Sequence, residues 1–324
     1  MRLFNLKAGI PLPDPSTKQF AFVVRDGAAL VTYSGLGRLP TGEHISDLIA
    51  NLLRGEMRDM NGTLSAIAAF ATNHIAPIAL GIPPEFRQHT FAVAGHRHGR
   101  PFFAEVRNVD VGPVGHPSNQ LLLRKDFTVA VVAVPQDGIA SVVGARDYLG
   151  PPDRALLNRI RGVRPARAGD FLKLLAAVTK RTAQAAPELI SPECWAWHLP
   201  VGSNQPEAPQ PFTYGRPIVV SSTPRMITHG LDFNAAMDFI KREQAKYGDW
   251  SEWQRHFGQI TLEAMRLAMR LEVGQRVKNL DTNETGRVAL DPVPGGDIND
   301  IGVVWDSDTS RVDIASRSRI SAIV

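Results

Sequence analysis

The feature that most constrains the fold of this chain is an alternating segment near its start. Two apolar runs, residues 20–24 and 29–33, flank the dipeptide Asp26-Gly27. Asp-Gly favours a tight turn between antiparallel strands because both residues tolerate a positive φ. The segment therefore predicts a β-hairpin. Its apolar alternation also fixes the buried face, since a slip of one residue would turn that face to water.

Helices are predicted on both sides of a central group of strands. The first would be capped by Thr41 and has five apolar residues on one face, namely Ile45, Leu48, Ile49, Leu52 and Leu53. The second covers residues 64–78, with Thr63 as its cap. Two hairpins follow, over residues 89–108 and 127–143. After them come helices over residues 152–160 and 171–185, the latter capped by Asp170, and a strand over residues 194–199.

This order of elements predicts an α+β fold, because strands and helices come in blocks and strict β-α-β alternation is absent. A polar, proline-rich stretch at residues 202–211 indicates a domain edge, and two more helices are predicted between residues 233 and 271. The remaining residues form short apolar runs separated by Gly, Asp and Asn, which predict a small β-barrel. We therefore divide the chain into a main domain, a linker with helical connector, and a barrel, at residues 1–201, 202–271 and 272–324.

Three segments of the main domain have a characteristic order. They are a hairpin leading through glycines into a helix (residues 18–37), a strand ending in Gly whose return strand is aromatic (residues 89–106), and Ser141-Val142-Val143-Gly144-Ala145 ahead of a long helix. This order resembles the proteasome β-subunit branch of the N-terminal nucleophile hydrolases. The resemblance implies a four-layer αββα sandwich. It also implies that Lys18 takes the place of the family's active-site lysine, and that amides around Gly35, Leu36 and Gly37 take that of its oxyanion hole.

The same resemblance bears on activity. Enzymes of this family begin with Thr, Ser or Cys, whose own α-amine acts as base. This chain begins with Met1, and Ser16 and Thr17 adjoin Lys18 too closely to lie on a neighbouring strand. We therefore expect a non-catalytic or degenerate member, without cofactor, that assembles with itself or binds a protein partner. The alternative is an N-terminal nucleophile amide hydrolase or peptidase whose true N-terminus lies upstream of Met1.

The C-terminal part resembles small SH3-like modules of transcription and ribosomal proteins, through Gly286-Arg287-Val288 and Val303-Val304-Trp305-Asp306. From Glu272 onward it has nine acidic and six basic residues, and this net negative charge opposes contact with phosphate. We expect this barrel to pack on the main domain or to grip a protein partner. Trp305 would then lie in its core or line a groove.

Charge favours no nucleic-acid partner overall, since the formal net charge is only +4 over 324 residues. Residues 146–181 are the exception, with nine basic and three acidic residues. A nucleic-acid-associated role of this segment is a further alternative. We expect a solvated helix face and loop instead, because the segment lacks the interleaved aromatic residues on which bases stack.

The remaining candidates favour structural roles. His96 and His98, with His89 and His116 nearby in sequence, lack the cysteines or carboxylates that would complete a metal site, so we predict solvated turn histidines and no metal. The segment Gly35-Leu36-Gly37 has no Walker lysine after it, which argues against phosphate binding. Cys194 is the only cysteine and is predicted to be a small core residue. A reducing cytoplasm is expected, with no leader or membrane span after the first residues.

Overall fold

The structure is a computed structural model that describes residues 4–5, 10–11, 18–82, 87–110, 122–136, 148–160, 168–187, 193–200, 203, 205–213, 216–217, 224–271, 273–291, 293–297 and 300–322. The chain divides into two compact units. The first unit is Met1–Ala21, Asp26–Ser46 and Ile67–Pro224, and the second unit is Phe22–Arg25, Asp47–Ala66 and Arg225–Val324. The three-part division made from the sequence stays a prediction.

The described elements alternate in blocks of strands and helices. In chain order the strands are β1 Phe4–Asn5, β2 Ile10–Pro11, β3 Gln19–Val24, β4 Gly27–Ser34, β5 Thr90–Arg97, β6 Arg100–Asp110, β7 Leu122–Val132, β8 Glu193–Ala196, β9 Gln210–Thr213, β10 Arg216–Pro217, β11 Arg225–Thr228, β12 Leu231–Asp232, β13 Arg276–Asn279, β14 Thr285–Leu290, β15 Asp300–Trp305, β16 Asp308–Ser316 and β17 Ile320–Ala322. The helices are α1 Ile45–Leu53, α2 Met60–Phe70, α3 Ala76–Leu80, α4 Pro151–Ile160, α5 Ala168–Ala185, α6 Phe233–Gln244 and α7 Trp250–Ala268.

The predicted first hairpin is confirmed: β3 and β4 are neighbours in one sheet and are joined by a turn at Arg25 and Asp26. From β4 the sheet continues within the first unit in the order β4-β5-β6-β7, and these pairs are antiparallel. The register places Tyr33 opposite Phe91 and Phe91 opposite Val106. All three side chains are buried. This alternation of buried residues is what fixes the register of the sheet.

The predicted helices are present, but their starts differ. In α1, Ile45, Ile49, Leu52 and Leu53 are buried as expected and Leu48 is half-buried. Three predicted caps are wrong, those of Thr41, Thr63 and Asp170. The Thr41 hydroxyl donates to Glu43, four residues before α1 begins. Thr63 and Asp170 lie inside α2 and α5. Asp59 caps α2 instead, because its carboxylate accepts from the amide of Gly62 at 2.7 Å.

Helices α2 and α3 are joined by a π-helical turn, Ala71–Ile75. In this turn the Thr72 hydroxyl accepts from the amide of Phe127 at 2.9 Å, which ties the helix to β7. The run Met60–Leu80 is, among the described residues, the one helix long and apolar enough to cross a membrane by length and composition. Core helices pass the same test, and Leu64, Ile67 and Ile75 of this run are buried within the protein.

A second, smaller sheet of the first unit has the order β10-β9-β8 and is antiparallel. It packs against α5 through a cluster formed by Leu172, Ala176, Ala196 and Phe212, with Cys194 at its border. Cys194 is thus half-buried beside a small apolar core. The predicted strand over residues 139–143 and the segment Ser141 to Ala145 lie outside the described residues.

The second unit contains helices α6 and α7, which pack together, and a five-stranded antiparallel sheet of order β16-β15-β14-β13-β17. A 3₁₀ turn, Arg317–Arg319, connects β16 to β17. The core of this sheet consists of Leu271, Val277, Val288, Ile301, Val303, Trp305 and Ile320. Trp305 is therefore a core residue, one of the two places predicted for it. Taken together, the two units have a mixed α+β architecture, as the order of elements predicted.

Candidate functional site

Lys18 lies directly before β3 and is the centre of the candidate site in the first unit. Its backbone oxygen accepts from the amide of Tyr33 at 3.1 Å, which fixes it at the end of the hairpin. The ammonium Nζ donates to the backbone oxygen of Gly35 and lies 6.0 Å from the centre of the Tyr33 ring. Lys18 and Gly35 are thus brought together.

Burial lowers the pKa of Lys18 from 10.5 to about 8, because the charged form is desolvated. Within the part of the chain that the structure describes, no carboxylate forms an ion pair with its Nζ to oppose this effect. Roughly a tenth of Lys18 is therefore the neutral amine at pH 7. An amine with such a pKa is able to take up and release a proton near neutral pH.

The peptide group between Gly35 and Leu36 is held at both ends. Its oxygen accepts from Lys18, and its N–H donates to Nε2 of His89 at 2.8 Å. The oxygen and the N–H of a trans peptide point in opposite directions. The Leu36 amide therefore points away from Lys18 and is already bonded. The expected oxyanion hole at Leu36 is not formed beside Lys18 in this geometry.

His89 is itself fixed by two neighbours. Its backbone N–H donates to Oδ1 of Asn108 at 2.9 Å, and Nδ2 of Asn108 donates to the backbone oxygen of Arg87 at 2.8 Å. Nδ1 of His89 lies 3.0 Å from the same Arg87 oxygen. Because Nε2 accepts from the Leu36 amide, the ring proton is on Nδ1 and is donated to Arg87. His89 is thus a neutral imidazole in one defined tautomer.

Three causes act on the titration of His89. Burial lowers its pKa, the hydrogen bond to Arg87 raises it, and the positive charge of Lys18 lowers it; the result is about 4. The side chain is 1% exposed, and its ring lies edge-on to Phe127 with the ring centres 6.4 Å apart. The imidazole consequently stays uncharged at neutral pH and keeps its free electron pair for the Leu36 amide.

Gly35 lets the histidine ring come this close. Its φ is +104°, and a Cβ at this position would lie 2.0 Å from Cδ2 of His89. Only glycine meets both conditions. Gly37, the third glycine-segment residue named by the resemblance, is buried and its oxygen accepts from the amide of Ile45 at 3.1 Å, at the start of α1. Its place is structural in this conformation.

The other predicted candidates lie elsewhere. His96 is wrong as a solvated turn residue: it is in β5, 5% exposed, and Nε2 lies 2.6 Å from the backbone oxygen of Ser203. His98 is exposed in the turn, as predicted, and His116 lies outside the described residues. No group of three or more His, Cys, Asp or Glu in the described ranges has the arrangement of a metal site.

The basic segment is described only in part. Arg181 forms an ion pair with the buried Asp153, with Nε 2.7 Å from Oδ1, so this arginine has an internal partner. Lys173 is exposed, 4.0 Å from Asp170. Arg161, Arg164 and Arg167 lie outside the described residues. The nucleic-acid alternative for this segment stays a prediction.

No protein family, curated protein or solved structure matches the chain. The site is therefore interpreted from its own geometry and from the resemblance described above.

Proposed function

We propose that the first unit carries the lysine-bearing part of an amide hydrolase site of the N-terminal nucleophile type. The observation that carries this proposal is Lys18, an amine with a pKa of about 8 that is bonded to Gly35 and has no described carboxylate partner. A buried ammonium without a counter-charge destabilises a fold. Groups perturbed in this way occur preferentially at functional sites.

The chemistry of such a site is acyl transfer. A hydroxyl or thiol attacks the acyl carbon of an amide, its proton passes to the neutral Lys18 amine, and the C–N bond breaks as the leaving amine takes up a proton. Water then hydrolyses the acyl ester or thioester that remains. Ser16 and Thr17 lie outside the described residues, so the nucleophile is assigned to no residue.

The test is hydrolysis of fluorogenic peptide amides by the purified full chain between pH 6 and 10, together with labelling by electrophilic β-lactone or epoxyketone probes. We expect turnover that rises with pH around 8 and is lost in Lys18→Met. The matched control is Lys173→Met, which removes an exposed lysine of the same unit and is expected to keep full activity. Absence of turnover and labelling in the wild type would overturn the proposal.

The second candidate is the non-catalytic reading, in which the unit assembles with itself or binds a protein partner. The observation that favours it is the bond between the Leu36 amide and His89, because an oxyanion needs a backbone donor that is free to receive it. The same assay separates the two candidates. A wild type that is inert to substrate and probe, yet forms oligomers or a complex, favours the non-catalytic role.

The finer fold assignments belong to the same proposal. For the αββα sandwich the support is the antiparallel sheet β3-β4-β5-β6-β7 with helices after its first hairpin. For the SH3-like barrel it is the order β16-β15-β14-β13-β17, in which the last strand returns beside the first, as closure of a small barrel requires. A cytoplasmic location is proposed with them.

A further inference from the structure

We propose that His89 is a positioning residue that locks the Gly35–Leu36 peptide onto Lys18, and that protonation of its ring opens this lock. The inference rests on the proposed function, since it concerns the regulation of the same site. It stands on geometry: one peptide group has its oxygen on Nζ of Lys18 and its N–H 2.8 Å from Nε2 of His89.

The lock has a rigid base. Asn108 is 2% exposed and bonds both the backbone of His89 and the oxygen of Arg87, which also receives the ring proton of His89. On its other side the ring lies against Gly35, where a Cβ would clash. The imidazole thus has no room to turn while the peptide keeps its orientation.

Protonation removes the acceptor. A charged imidazole has an N–H at both ring nitrogens, so Nε2–H would point at the N–H of Leu36. Two donors facing each other at this distance repel, and the ring or the peptide must move. Movement of the peptide takes the Gly35 oxygen away from Lys18 and leaves the Leu36 amide free to bind a carbonyl or carboxylate oxygen.

Apart from Lys18, the charged groups on the neighbouring elements do not act on the protonation of His89. Lys18 acts on the ring of His89 and disfavours its protonation. The side chain of Arg87 donates to Ile82 instead. On β6, Arg107 pairs with Glu105, and on β7, Lys125 and Asp126 are exposed; none of these four shifts the pKa of His89.

The experiment is amide hydrogen exchange and ¹⁵N spectroscopy of the full chain. In the wild type we expect Nδ1–H to be the ring proton of His89 and the Leu36 amide to be protected at pH 7. In His89→Leu its exchange should rise about tenfold, the loss of one hydrogen bond. His89→Gln offers an acceptor that does not titrate, so it should keep the protection at pH 7 and at pH 4, where the wild type loses it.

The matched control is His98→Gln, which changes an exposed histidine of the same unit and should leave Leu36 unchanged. If His89→Leu does not fold, the wild-type tautomer and the comparison with His89→Gln decide the matter. A His89 ring that titrates near 6.5, or a Leu36 amide unaffected by pH and by both variants, would overturn the lock. Protection that follows this pattern in a chain without hydrolysis leaves the lock standing and rejects only the proposed function.

Discussion

Two regions of the molecule hold buried ionisable groups in different ways. In the second unit, Asp232 is completely buried and accepts from Arg54 at 2.7 Å and from the amide of Ala235 at 3.1 Å. Asp291, 3% exposed, accepts from Arg317 and from the amide of Leu271 at 2.6 Å. In the first unit, Lys18 has no described carboxylate partner and His89 is kept neutral by burial.

This difference separates charges that hold structure from charges that are kept reactive. A buried carboxylate paired with an arginine and bonded to backbone amides is held in one geometry. Asp232 caps α6, and Arg317 also donates to the Met269 oxygen at 2.8 Å, at the end of α7, so both pairs join helices to strands. Lys18 and His89 have pKa values lowered by burial, so Lys18 titrates close to neutral pH whereas His89 stays uncharged there.

The largest effect is expected where a buried pair is broken. Asp291→Ala removes the carboxylate that compensates the buried charge of Arg317, which should lower the free energy of unfolding by about 3–5 kcal/mol. Urea unfolding followed by tryptophan fluorescence measures it. The control is Asp306→Ala, which breaks an exposed pair with Arg276 in the same sheet and should change little. Equal losses in both variants would show that burial of the pair between Asp291 and Arg317 does not add to its effect on stability.

Glycine substitution tests how tightly the Lys18 site is built. Gly35→Ala combines a positive φ with a clash against His89 and should destabilise the chain by about 3 kcal/mol. Gly99→Ala has a φ of +71° but open space around it, so only the backbone term of about 1 kcal/mol remains. Thermal unfolding compares the two variants. If Gly99→Ala lowered the thermal stability as much as Gly35→Ala, the packing of His89 on Gly35 would not contribute to the loss of stability.

Acid should unfold the first unit through His89. The unfolded state takes up a proton below about pH 6.5 and the folded state only below about 4, so stability present above 6.5 is lost as the pH falls between these values. The loss amounts to about 3 kcal/mol for this shift. Urea titrations from pH 7 to 4 should show it in the wild type and show a smaller slope in His89→Gln. Parallel slopes would contradict a neutral buried His89.

The smallest effect concerns Lys18. Lys18→Met removes a desolvated charge that has no described carboxylate partner, so stability at pH 7 should rise by about 1 kcal/mol. The lowered pKa also sets a sign: between pH 8 and 10.5 the unfolded state holds more protons, so wild-type stability increases with pH there. The variant should lack this increase. If Lys18→Met were less stable than the wild type, Lys18 would have a structural role, like the buried ion pairs of the second unit.

Sequence periodicity predicted what depends on local alternation. The hairpin β3–β4, the buried face of α1 and the strands of the second unit follow from patterns within a few residues. The caps were missed at Thr41 and Thr63, because a cap depends on where the first helical hydrogen bond forms, and residues near each start compete for that place.

The site was predicted in part. Lys18 and Gly35 were named from the order of elements, whereas the roles of His89 and Asn108 depend on the register between β5 and β6, which brings residues 19 apart into contact. The histidines were assessed only for the spacing that metal binding requires. That criterion does not detect a single imidazole that accepts a hydrogen bond from a backbone amide. The signal available in the sequence was the position of His89, directly before a buried strand. A histidine there is able to accept a hydrogen bond from the Leu36 amide of the glycine loop.

The π-helical turn Ala71–Ile75 gives the chain a place where its length is able to change. Such a turn holds one residue more than an α-helical turn, so deletion of one residue there would produce a continuous helix in which α2 and α3 keep their buried faces. A deletion elsewhere in Met60–Leu80 would rotate one half of the helix against the other. The extra residue positions Thr72 against the amide of Phe127, whose ring contacts His89. A variant without this residue would keep the fold and lose the hydrogen bond between Thr72 and the Phe127 amide.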